Sequence, residues 1–205
     1  MTGSMHKLLM SLGTALAAAM LSTQASALII SLTPSFQTAQ PTDSVSIDIV
    51  ATDFGNEVIG AFDFDILYDS LALSFTGYTL GGGLGDLGLG EALDLSFGDL
   101  GGIIDLAETS FLFDFELLPL QSSPLVLATL DFTVDVLAPG DITVVQLDVG
   151  DPNLYVAGEF GLELLDVEYN PTAVISNGER DLPTPATLSL FGLGLVGLGM
   201  FRRRR

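Results

Sequence analysis

The feature that most constrains this chain is a period of two. In Val45-Ser46-Ile47-Asp48-Ile49 and again in Phe62-Asp63-Phe64-Asp65-Ile66, apolar and polar residues alternate without a break. Only an extended strand puts successive side chains on opposite faces, so each run is a strand with one face buried and the other in water. Further runs with strand character cover residues 71–75, 111–116, 125–136, 142–149 and 162–175. Turn chemistry separates them: Asp53-Phe54-Gly55-Asn56, Tyr68-Asp69-Ser70, Ala138-Pro139-Gly140-Asp141 and Gly150-Asp151-Pro152-Asn153. Many short strands with no amphipathic helix predict an all-β fold, an antiparallel β-sandwich or jelly roll. The strand period assigns Phe62, Phe64, Phe113 and Phe132 to its core, and places Phe111, Phe113 and Phe115 on one face of their run.

Charge divides the chain sharply. All 26 Asp and Glu fall within residues 28–182, where the one basic residue is Arg180, while Lys7 and Arg202 to Arg205 sit at the two ends. Nucleic acid and anionic membrane surfaces require a basic patch, so the central region excludes both as partners. An acidic shell serves solubility, offers a negative face to a protein partner, or supplies carboxylates to a divalent cation. The chemistry is further narrowed by what the region lacks. The chain has no Cys and its single His is His6, which removes disulfides, thiol catalysis, His-held metals and any Ser-His-Asp arrangement. A carboxylate pair acting on a glycosidic bond is the catalytic arrangement that survives, and so many acids make a chance pair uninformative. The expectation is a protein that is not an enzyme and needs no cofactor.

Calcium requires several converging oxygen ligands, and three acidic groupings bear on it. The Gly/Leu/Asp-rich stretch from Gly81-Gly82-Gly83-Leu84-Gly85-Asp86 to Gly101-Gly102 lacks the spacing of a calcium repeat, and reads as a loop with a short strand at Leu93, Leu95 and Phe97. Asp63, Asp65 and Asp69 diverge along a strand and its turn, and read as a solvated face. Asp148, Asp151, Asn153 and Glu159 lie in and around a turn and are the candidate calcium ligands.

Both ends read as addresses. Lys7, an apolar Ala-rich stretch over residues 8–21, and Ala25-Ser26-Ala27 form the three regions of a secretory signal peptide, with cleavage expected before Leu28. Near the other end, residues 186–201 carry no charge and would form a helix of about 24 Å, against a hydrocarbon core of about 30 Å. The four arginines that follow should stay cytoplasmic. This divides the chain into a signal peptide (1–27), one domain (28–176), a linker (177–182) and a C-terminal segment (183–205) with a transmembrane helix at 186–201.

Pro183-Thr184-Pro185-Ala186-Thr187-Leu188, followed by a Leu/Gly-rich segment and Arg202, Arg203, Arg204 and Arg205, resembles the PEP-CTERM sorting signal of Gram-negative bacteria. That resemblance implies processing by an exosortase, a membrane transpeptidase with a cysteine nucleophile, and a transient hold on the membrane. The family has Glu where this chain has Thr184. Independently, Val45-Ser46-Ile47-Asp48-Ile49-Val50-Ala51, Ile59-Gly60-Ala61-Phe62-Asp63-Phe64-Asp65-Ile66-Leu67-Tyr68-Asp69 and Leu127-Ala128-Thr129-Leu130-Asp131-Phe132-Thr133-Val134 are similar to strands of a cohesin domain. Cohesins are nine-stranded jelly rolls that bind dockerins through one sheet face and have no catalytic site. The resemblances together imply an exported binding or adhesion module of the cell surface or exopolysaccharide matrix, with a surface protein or polysaccharide as ligand. The alternative, a carbohydrate-binding module, would be favoured if three of Tyr68, Tyr78, Tyr155 and Tyr169 lined one exposed face.

Overall fold

The computed structural model describes residues 27–159 and 167–178. The signal-peptide expectation apart from Ala27, the C-terminal sorting segment with its transmembrane helix, and residues 162–166 of the last expected run lie outside the described residues. Among the described residues no helix is long and apolar enough to cross a membrane.

Among the described residues thirteen strands form two facing sheets. Sheet A has the order β12-β1-β3-β9-β5, built from β1 (Ile29–Thr33), β3 (Ser44–Thr52), β5 (Leu73–Leu80), β9 (Leu125–Val134) and β12 (Glu168–Asn170). Sheet B has the order β2-β13-β10-β4-β8-β6, from β2 (Phe36–Thr38), β4 (Ala61–Tyr68), β6 (Ala92–Asp94), β8 (Ile103–Ser110), β10 (Ile142–Leu147) and β13 (Thr172–Ser176). Two short strands attach to it, β11 (Tyr155–Ala157) on β4 and β7 (Gly98–Asp99) on β8. The ladders are antiparallel apart from two parallel pairs, β1 with β12 and β2 with β13. Those two pairs close one side of the sandwich, because the chain passes from sheet A to sheet B between β1 and β2 and again between β12 and β13. Leu28 enters at the end of the sandwich where β3 finishes and β4 begins, and Ser176 leaves at the opposite end, beside the start of β10.

Alternation makes the core. Phe62, Phe64, Ile66 and Tyr68 of β4 point inward while Ala61, Asp63, Asp65 and Leu67 point outward. Phe132, fully buried on β9, takes the edges of two rings, Tyr68 across the sandwich at 5.4 Å and Phe75 on β5 at 5.7 Å between centroids. Such edge-on pairs align the positive rim of one ring with the negative face of the other.

Three expectations are corrected. Residues 111–116 are not a strand: β8 stops at Ser110, whose hydroxyl accepts from the Leu112 amide, and Asp114–Leu117 form a single helical turn, α1, with the Glu116 carboxylate accepting from the Phe113 amide. The crossover from β8 to β9 occupies one end of the sandwich, where no second sheet covers an alternating face. Phe113 is therefore half exposed rather than in the core, stacked on exposed Phe115 at 5.8 Å, while Leu112 and Leu117 turn inward. The strand expected at 71–75 begins at Leu73 and continues to Leu80. The short strand expected on Leu93, Leu95 and Phe97 is β6, Ala92–Asp94, and Phe97 lies beyond it, largely exposed.

The Gly-rich stretch is ordered by close approach. A Cβ on Gly81 would collide with the Val126 carbonyl of β9, and one on Gly83 would meet Leu125 at 2.5 Å. Gln121 fixes this segment to the residues leading into β4. Its amide oxygen accepts from the Ile59 amide at 2.9 Å, and its nitrogen donates to the carbonyls of Ile59 at 2.7 Å and Gly83 at 3.0 Å.

Candidate docking face

The outer faces of the two sheets handle their carboxylates differently. On sheet A three acids on or next to β3 and β9 are matched to hydroxyls on a neighbouring strand: Ser46 donates to Asp131, Thr129 to Asp48 and Ser74 to Asp135. Strand register brings these pairs together, since Ser46 faces Asp131 and Asp48 faces Thr129 on the β3–β9 ladder.

On sheet B the register gathers acids instead. Asp65 of β4 lies directly opposite Asp105 of β8, and Asp63 opposite Ala107. On the other flank the chain leaves β10 at Leu147 and returns as β11, with Tyr155 opposite Asp63. The connecting turn hugs β4, since the Asp148 amide donates to the Asp65 carbonyl at 2.8 Å. The turn is shaped by its own side chains: Asp148 accepts from the Gly150 amide at 3.0 Å, and Asp151 accepts from the Asn153 amide at 3.0 Å. Asp63, Asp65, Asp105, Asp148 and Asp151 thus share one surface.

Burial and mutual repulsion both act on the two central groups. Burial first, then the charges of Asp105, Asp151 and Asp65, raise Asp63 above the usual carboxylate range. Asp65 is raised likewise by burial and then by Asp151, Asp105 and Asp148. Residues 27–178 contain no Lys, Arg or His, so nothing within the described domain can neutralise this face. Beside it lie apolar groups, Phe97, whose amide donates to Asp105 at 3.0 Å, and half-exposed Ile103. The arrangement is a cation-seeking surface with an apolar margin.

The candidate calcium ligands do not share one location. Asp148, Asp151 and Asn153 occupy the turn beside β4, whereas the Glu159 carboxyl is raised by local desolvation and by a hydrogen bond with Asp114 of α1. Among the described residues no three carboxylate or imidazole groups are placed to hold one metal ion. The tyrosines do not form a platform either. Tyr68 is buried with its hydroxyl on Asp99 at 2.8 Å, and Tyr78 and Tyr169 pack against the core. Sequence reasoning put Asp63 and Asp65 on a solvated face, and missed that Asp105 and Asp148 join them. The signal for Asp105 was its place in Ile103-Ile104-Asp105-Leu106, an outward position on a strand that had not been recognised.

No protein-family model matches the chain, and no curated protein matches it. Solved structures do. A cohesin of ScaC in complex with the ScaB dockerin from Acetivibrio cellulolyticus superposes with a TM-score of 0.57 at 17% identity, covering 74% of this chain and 99% of that one. The OlpA cohesin in complex with dockerin Doc918 from Clostridium thermocellum gives 0.58 at 14% identity, with 74% and 99% covered. A type III cohesin from the cell-surface anchoring scaffoldin ScaE of Ruminococcus flavefaciens gives 0.53 at 17% identity, with 76% and 89% covered. At such identities the likeness carries architecture alone, and it establishes that this chain has the jelly-roll β-sandwich fold of the cohesins.

Proposed function

We propose that this protein is a non-catalytic module that binds a basic protein partner through the outer face of sheet B. The observation that carries the reading is the gathering of Asp63, Asp65, Asp105, Asp148 and Asp151 on one face of a domain without a cation of its own. A partner presenting Lys or Arg would relieve the repulsion among these groups and gain charge-assisted hydrogen bonds, while Phe97 and Ile103 supply apolar contact at the margin. The cohesins of similar fold that were solved with dockerins meet a protein partner, in keeping with this reading.

In this proposal the signal peptide, cut after Ala27, sends the chain out by the Sec route. The C-terminal segment, with Pro183, Thr184, Pro185 and Ala186 at the start of its apolar stretch and Arg202 to Arg205 at its end, holds it at the inner membrane until an exosortase processes it. Its destination is then the cell surface or exopolysaccharide matrix of a Gram-negative bacterium.

The test is affinity capture from the native extracellular matrix with the mature protein and with a D63N/D65N/D105N variant. A basic protein retained by the first and lost by the second is expected. Equal retention by both, or recovery of glycan with no protein, would overturn the reading. Mass determination of the exported protein tests the sorting step, and an intact Arg tail in the matrix pool would contradict it.

A further inference from the structure

Glu108 is the one inward-facing acid on β8. The alternation that buries Ile104 and Leu106 carries Glu108 to the same side, where it is 1% exposed. Among the described residues neither of its carboxyl oxygens has a hydrogen-bond partner. Its register neighbours are Phe62 on β4 and Asp94 on β6. An ionised carboxylate in this position would be a buried, unpaired charge, and no basic residue exists in residues 27–178 to pair with it. Burial without a partner favours the protonated form. Burial, and secondarily the Asp94 charge, push Glu108 up to about 8.

The element most exposed to this charge is a short edge strand of sheet B. Strand β6 has three residues, forms the edge of the sheet, and is flanked by the Gly-rich segment before it and the β7 turn after it. Its tie to sheet A is the Tyr78 hydroxyl of β5, which donates to Asp94 at 2.8 Å. The titratable groups facing Glu108 are therefore Asp94 from β6 and, through it, the Tyr78 phenol from β5. Strand β4 contributes Phe62 and Phe64 on that side, and the turn at Gly82–Leu84 contributes no titratable group.

We propose that Glu108 is a proton-operated latch: its neutral carboxyl lets β6 and the Gly-rich segment close against β8, and loss of the proton releases that edge of sheet B. The sign follows from linkage. A carboxyl that holds its proton more tightly in the closed state favours closure fully below its ordinary value near 4.5, and the advantage is lost as pH rises through about 8. Between pH 6 and pH 9 the opening equilibrium rises by up to about a hundredfold.

Hydrogen exchange of the full mature protein, corrected for intrinsic amide rates, tests this. The expected result is an increase of at least about tenfold in opening of peptides within residues 81–102 between pH 6 and pH 9, with β3 and β9 unaffected. Glu108→Gln should abolish the pH step. Asp94→Asn, which removes the facing charge, should shift the wild-type midpoint to lower pH, and it decides the matter if E108Q does not fold. A flat wild-type profile, a rise spread uniformly over the domain, a step that persists in E108Q, or a midpoint unmoved by D94N would each overturn the proposal.

Discussion

Replacing Gln121 by Ala tests whether the crossover between β8 and β9 is held by its side-chain amide. Gln121 is 8% exposed and bonds both backbone groups of Ile59 and the carbonyl of Gly83. Truncation leaves one N–H and two carbonyls without their partner in a region where Ile59 is 0% exposed and Gly83 is buried. Each orphaned group costs about 1–3 kcal/mol, and partial relaxation or entry of water into the space reduces the sum to about 3–4 kcal/mol. With a urea slope of about 2 kcal/mol per molar, the unfolding midpoint should fall by about 1.5–2 M without a change of slope. Gln121→Glu separates hydrogen bonding from packing. It keeps an acceptor for the Ile59 amide but sets a charge against two carbonyls, so it should be worse than Ala at neutral pH and recover on acidification. A midpoint loss below about 0.5 M for Q121A, or a Q121E variant insensitive to pH, would refute the reasoning.

Other outcomes follow from the same structure. Phe132→Ala removes the ring on which Tyr68 and Phe75 converge and should cost about 3–5 kcal/mol, read as a fall in Tm of about 10 °C. Tyr68→Phe deletes the bond to Asp99 and should cost about 1–2 kcal/mol in chemical denaturation; because burial, and then the Asp99 bond, lift the phenol to about 12, that cost should not change between pH 6 and 9. Carboxylates that repel one another without internal cations should make the domain salt-stabilised: Tm should climb as NaCl goes from about 0.05 to 1 M, and a flat response would show that the charges are too dispersed to matter.

How much was legible in the sequence depended on whether a signal was local. Strands β3 and β4 could be read because their buried and wet faces differ in chemistry over residues 45–49 and 62–66. The same period misled at 111–116, because alternation needs a facing sheet to become a strand and this segment spans the end of the sandwich instead. Gln121 gave no local sign, since its partners Ile59 and Gly83 are brought to it only by the fold. Glu108 was readable in retrospect: Ile104, Leu106 and Glu108 occupy alternate positions, and an acid on the apolar face of a strand is a conflict that marks a buried titrating group. At the candidate site, the outward course of Asp63 and Asp65 was visible, but their company was not. Asp105 arrives from β8 by register and Asp148 from the turn after β10, and Glu159 is drawn off to Asp114.

The two parallel pairs that close one side of the sandwich have a mechanical meaning. Tension drawn through Leu28 and Gly178 pulls β1 and β2 toward one end of the domain and β13 toward the other. The ladder between β2 and β13 is then loaded along its length, so that its hydrogen bonds must fail together rather than peel one by one. A domain pulled by handles at both of its ends would resist at the seam where β2 lies along β13.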